Sequence, residues 1–214
     1  MFQFKVNFPI FLLVCVLLGF YSNQSFSQSK KLVNKSRRDT VKMLPKSEWK
    51  GVEGRPYKNH TPIKITVHHE GGKLLTVNDD AKQRLKNIQT WGMGPDRKWA
   101  DVPYHILIAP DGTVLEGRNP LVVGETNTEY DPTGHLLICF LGDYNQQKLD
   151  DKLLKVLVNL LADKCVKYNI SPSEISTHRD HSKQTTCPGE DIYSYFKSGY
   201  IVKEVSKQVK FVKL

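Results

Sequence analysis

Apolar residues recur along this chain with two different periods. In residues 63–69 they alternate through Ile63, Ile65 and Val67, the period of a strand with one buried face. Glu70-Gly71-Gly72 then ends it. Ala81, Leu85, Ile88 and Trp91 share one face at helical spacing, which predicts a helix over 78–91 with Asn78 as N-cap. Residues 104–109 and 113–116 flank Asp111-Gly112 and read as a hairpin. Residues 136–141 are continuously apolar, as in a buried central strand. Leu153, Leu154, Leu157, Leu160, Leu161 and Val166 predict an amphipathic helix over 149–168, ending near Asn169. A weaker helical pattern covers 192–209, and 120–134 and 176–189 read as loops. This order predicts an α/β fold: a single domain over 44–205 with a central mixed β-sheet flanked by helices.

The first residues follow another logic. Lys5 precedes thirteen uncharged residues, 8–20, too few for the about 20 a bilayer span needs. They read as the apolar segment of a secretory signal peptide over 1–27, with small residues at Ser25 and Ser27 for cleavage. An uncleaved anchor is the alternative. Export without stable membrane insertion is the expectation, to a periplasmic, cell-surface or secreted location. Residues 28–43 carry Lys30, Lys31, Lys35, Arg37, Arg38 and Lys42 and read as a basic flexible arm, and 206–214 as a C-terminal tail.

Composition narrows the partners. The 214 residues carry a net charge of +9, which favours anionic ligands. Nothing interleaves aromatic and basic residues as a nucleic-acid module does, so nucleic acid is not expected. Removing the signal peptide takes away Cys15 and leaves Cys139, Cys165 and Cys187, an odd number. Cys139 and Cys165 read as small apolar residues or as a disulfide pair.

Three clusters carry chemistry: Val67-His68-His69, Asp101-Val102-Pro103-Tyr104-His105, and His178-Arg179-Asp180 followed by Cys187-Pro188-Gly189. Zinc takes imidazole nitrogen and thiolate sulfur, and a catalytic zinc keeps one position open. A strand-end His plus a His and a Cys nine residues apart can supply three ligands. Read alone, the His/Cys pair also fits half a disulfide, or a cysteine hydrolase with Cys187 as nucleophile and His178 as base. His69 and His105 read as structural residues, His135 as a loop residue, and His60 and His181 as exposed.

The order of these clusters resembles the zinc-dependent N-acetylmuramoyl-L-alanine amidases, the superfamily of phage lysozyme-type amidases and peptidoglycan recognition proteins. The likeness spans roughly residues 44–200. It runs through Leu44-Pro45-Lys46-Ser47-Glu48-Trp49, Ile65-Thr66-Val67-His68-His69, Trp99-Ala100-Asp101-Val102-Pro103-Tyr104-His105, Asp111-Gly112-Thr113-Val114-Leu115-Glu116-Gly117-Arg118, Thr177-His178-Arg179-Asp180 and Thr185-Thr186-Cys187-Pro188-Gly189. The resemblance implies one zinc ion on His68, His178 and Cys187. It implies that Tyr104 and Thr185 are catalytic, one on each side of the metal. Arg118 and Arg179 become candidates for steering an anionic stem peptide, with ion pairing inside the fold as the alternative for both. The implied activity is cleavage of the amide between N-acetylmuramic acid and L-alanine by a monomer acting on peptidoglycan or muropeptides. The alternative is a recognition protein that binds without cutting. Three features depart from the family: Glu70 replaces the usual Thr, the 178–187 loop is one residue longer than in many relatives, and Cys139 stands where another branch has a catalytic Glu.

Overall fold

The structure, a computed structural model, describes residues 30–34 and 41–213. The segment read as a signal peptide lies outside them. The elements are β1 (Lys30–Asn34), β2 (Met43–Leu44), β3 (Lys64–His69), α1 (Ala81–Gly92), β4 (Ile106–Ile108), β5 (Val114–Glu116), β6 (His135–Phe140), α2 (Asp151–Tyr168), β7 (Ile175–Thr177), α3 (His178–His181), α4 (Glu190–Lys197), α5 (Tyr200–Gln208) and β8 (Val209–Lys213).

Six strands form one mixed sheet in the order β2-β5-β4-β6-β3-β7. Only the β4–β5 hairpin is antiparallel; the other neighbours are parallel. β6 lies among these parallel neighbours with all six residues buried, which explains its unbroken apolar run. The period-2 alternation of the strands divides the core. Ile65, Val67, Ile106, Ile108, Ile138 and Phe140 meet Leu153, Leu157, Leu160 and Leu161 of α2. Leu107, Leu115, Cys139 and Leu141 face the other way, toward Leu85 and Ile88 of α1 and Trp49. Burying each such leucine contributes about 1.5–3 kcal/mol.

Several expectations change in detail. The N-cap of α1 is Asp80, whose carboxylate accepts from Gln83 N at 2.9 Å, not Asn78. Trp91, on the predicted apolar stripe, is 51% exposed. The C-terminal helix is two helices, because Gly199 adopts φ 73° and breaks the run between α4 and α5. The loop over 176–189 contains a strand, β7, and the short α3.

The largest correction concerns the two termini. The arm read as flexible contributes β1, and the tail contributes β8. They pair antiparallel from Lys30↔Lys213 to Asn34↔Val209. Leu32 is fully buried in the core, and its N–H donates to Asn169 Oδ1 at 2.8 Å. One buried leucine outweighs the basic composition around it. No helix among the described residues is long and apolar enough to cross a membrane.

Candidate metal centre and cleft

The parallel pairing of β3 with β7 places Val67 opposite Thr177. The following residues, His68 within β3 and His178 at the start of α3, therefore lie side by side, with ring centroids 4.7 Å apart. Thr177 anchors the turn into α3: its N–H and its hydroxyl donate to Asp180 Oδ2 at 2.7 and 2.8 Å. The chain then folds back, pinned by Arg179 N donating to Cys187 O at 2.9 Å and Cys187 N donating to Thr185 Oγ1 at 3.0 Å. Gly189 closes this return at φ 92°, where a Cβ would meet the Tyr144 backbone at 2.3 Å.

This routing brings one donor atom each from His68, His178 and Cys187 within 4.8 Å of one another, and all three residues are buried. Cys187 Sγ lies 3.5 Å from His68 Nδ1 and accepts from His69 N at 3.3 Å. His178 Nε2 is 2.8 Å from the Thr128 hydroxyl. His68 Nε2 is buried with no hydrogen-bond partner.

The donor set fits a zinc-type cation. Burial holds the His68 imidazole well below its usual pKa and lowers that of His178 to about 4, so both rings are in the neutral form that ligates. Burial pushes the Cys187 thiol up to about 12. A protonated thiol against two neutral imidazoles is a set that a dication completes, because coordination ionises the sulfur.

Tyr104 stands across the opening, half-buried, its ring 5.2 Å from that of His68. Burial and the neighbouring thiols of Cys139 and Cys187 hold its phenol well above the usual pKa. Cys139 lies opposite His68 in the β3–β6 ladder. Thr185 lines the same cavity of about 360 Å³ with the three clustered residues. A second cleft of about 470 Å³ continues from it, sharing Glu70, Trp99, Tyr104 and Asn127. Its walls are the α1 face that carries Arg84, Ile88 and Trp91, and the segment around Trp99 and Pro103.

The two arginines are not in this cavity. Arg118, expected to steer an anionic peptide, is 2% exposed. Its guanidinium donates to the carbonyls of Asp101, Val102 and Val123 and pairs with Glu125. It cross-links the hairpin to the loop beside it. Arg179 bonds Thr186 O at 2.6 Å and Glu190 Oε1 at 2.7 Å, bracing the 178–187 loop.

The other histidines are structural. His69 points away from His68, and its Nδ1 accepts from Tyr144 N at 3.0 Å. His105 Nδ1 accepts from Leu137 N, and its Nε2 donates to Val122 O. His135 begins β6 and meets the Thr66 hydroxyl at 2.7 Å. His60 and His181, expected to be exposed, are both engaged: His60 bridges Gly134 N and Pro120 O, and His181 bonds the Ser176 hydroxyl and stacks on Tyr130. Cys139 and Cys165 are separate buried thiols. Sequence reasoning missed Thr128, which sits in a loop without periodicity. It also missed the pairing of Glu70 with Arg84, although Arg84 precedes Ile88 by one helical turn.

A family model described as N-acetylmuramoyl-L-alanine amidase matches residues 58–190. The chain belongs to this family. Among curated relatives, peptidoglycan recognition protein 1 of Rattus norvegicus is 31% identical over 162 residues, covering 73% of this chain and 86% of the relative. In fold, the chain resembles the N-acetylmuramoyl-L-alanine amidase LysC of Clostridium intestinale, with TM-score 0.59 and 24% identity over 74% of this chain and 96% of that one. It also resembles a Drosophila PGRP-LB variant in complex with tracheal cytotoxin, with TM-score 0.62 and 22% identity over 73% and 93% of the two chains.

Proposed function

We propose that this protein is a zinc-dependent N-acetylmuramoyl-L-alanine amidase. It would hydrolyse the amide between the lactyl group of N-acetylmuramic acid and the L-alanine of the stem peptide. The observation that carries this reading is the convergence of His68, His178 and Cys187 at the end of an open cavity, with His68 Nε2 buried and unpartnered. Family membership supports it.

His68, His178 and Cys187 would hold one zinc ion. Zinc in such a set polarises a carbonyl as a Lewis acid and makes water more acidic. The chain supplies the rest. The His69 N–H bonded to Cys187 Sγ stabilises the thiolate form of the ligand. The Thr128 hydroxyl fixes the orientation of the His178 ring. Tyr104, kept as a neutral phenol, offers an O–H donor to the carbonyl oxygen as negative charge develops on it. Thr185 accepts from Cys187 N and positions the ligand loop; its hydroxyl is too weak a base to take a proton near neutral pH. Residues 8–20 support an exported protein, and the net charge of +9 suits an anionic wall polymer. We place it outside the membrane, as a monomer.

Digestion of purified peptidoglycan by the mature chain, read by mass spectrometry, tests this. Free stem peptides should appear, vanish with chelator and return with zinc, and Cys187→Ala should release none. Binding to peptidoglycan without any release would replace the enzyme with a recognition protein.

A further inference from the structure

His178 is touched from the side by a loop that hangs on one residue. The segment 126–133 joins Glu125, paired with Arg118, to Gly134, whose N–H donates to His60 Nδ1 at 2.8 Å. Between those ends only Tyr130 is buried, at 7% exposure. Two of the segment's outside bonds, Arg97 Nη1 to Asn127 Oδ1 and Lys58 Nζ to Thr133 Oγ1, join exposed side chains. Water competes for both partners of such bonds, so they hold a loop weakly. A buried aromatic ring meets no such competition.

Tyr130 reaches three elements at once. Its ring stacks on His181 of α3 with centroids 5.1 Å apart, meets His135 of β6 edge-on at 5.0 Å, and lies 5.5 Å from His178 itself. Its hydroxyl donates to Thr66 Oγ1 at 3.3 Å. Thr66 precedes His68 by two residues and shares its face of β3. The two residues before Tyr130 then meet the α3 turn. Glu129 Oε2 accepts from the Ser182 hydroxyl at 2.8 Å, and Thr128 Oγ1 lies 2.8 Å from His178 Nε2. This last contact decides which nitrogen of His178 is free. With Nε2–H donating to Thr128, the lone pair left for a metal is that on Nδ1. Without Thr128 the imidazole is free to exchange its two nitrogens, and only part of the population has the ring state that ligates.

We infer that Tyr130 is a positioning residue for the metal site: it anchors the 126–133 loop so that Thr128 holds His178 in the one ring orientation that ligates. This rests on the metal-binding reading of His68, His178 and Cys187 above. Tyr130 takes no part in bond cleavage and acts through Thr128.

The test is a double-variant cycle on zinc affinity, measured on the mature chain by competition with a chromophoric chelator. Thr128→Val and Tyr130→Ala should each weaken zinc binding by about 10- to 100-fold, the usual cost of losing a group that orients a metal ligand. Both act on one contact, so the double variant should lose no more than the larger single loss. Tyr130→Phe keeps the ring and its stacking and should bind zinc within about threefold of the wild type. Lowered stability alone does not produce this pattern: Leu32→Ala, destabilised at the terminal ribbon, should keep wild-type zinc affinity. If Tyr130→Ala does not fold, Tyr130→Leu takes its place in the cycle. Wild-type affinity in either single variant, or a double loss equal to the product of the two single losses, overturns the inference and leaves the amidase reading standing. A wild type that binds zinc no more tightly than Cys187→Ala overturns the metal site, and this inference with it.

Discussion

Val67 lies opposite Thr177 in the parallel β3–β7 ladder, and that one pairing sets His68 beside His178. β7 is only three residues long and sits at the edge of the sheet. A dication held by His68, His178 and Cys187 would thus cross-link the central sheet to the loop that follows β7. We expect zinc to raise the melting temperature and chelator to lower it. At free zinc a thousandfold above Kd the gain is about 4 kcal/mol. Cys187→Ala should lose the zinc-dependent shift, with less than one equivalent of zinc retained by elemental analysis. A shift of equal size in the variant would show that the metal binds elsewhere.

Arg118 should matter for stability and not for substrate. Its guanidinium is buried against three carbonyls and Glu125. Arg118→Met leaves those acceptors without a donor, and breaking a buried pair from one side costs about 3–5 kcal/mol. Urea denaturation should show that loss. At a temperature where the variant is folded, KM for a muramyl peptide should be unchanged. A raised KM with wild-type stability would restore the steering role that its sequence position suggests.

The sequence was most legible where one short segment carries the information. His68 at a strand end, the Asp111-Gly112 hairpin and the apolar run of β6 each announce themselves by local period. The clustering of His68, His178 and Cys187 followed from motif order. What stayed hidden depends on partners distant in sequence. Arg118 looks like a surface cation until Asp101, Val102, Val123 and Glu125 close around it. β7 is too short to show a period, and it exists only because β3 offers an edge. β1 reads as solvated because its lysines dominate; Leu32 decides its fate only through Asn169 and the α2 face.

The β1–β8 ribbon should therefore be part of the folded unit. Leu32 is fully buried, and Leu32→Ala is expected to cost about 2–5 kcal/mol by chemical denaturation. Lys31 is exposed on the same strand, and Lys31→Ala should stay within about 0.5 kcal/mol. Equal and negligible effects for the two would mean that the ribbon does not dock on the core in solution.

Acid should destabilise the protein through its histidines before the carboxylates titrate. Burial lowers the pKa of His105 from 6.5 to about 3 and that of His135 from 6.5 to about 4. Between those values and 6.5 the unfolded chain binds more protons than the folded one. Stability therefore rises with pH through this window. The contribution is complete above about pH 6.5 and is lost as pH falls toward the folded-state values. At pH 5 each histidine has withdrawn about 2 kcal/mol relative to pH 7.5. Unfolding free energies at pH 7.5, 6 and 5 measure the slope. His105→Gln should be less stable at pH 7.5, because Leu137 N and Val122 O lose their shared partner. It should also show a shallower slope, since one depressed imidazole is gone. An unchanged slope would mean that His105 keeps its unfolded-state pKa in the fold, binding as many protons there as in the unfolded chain.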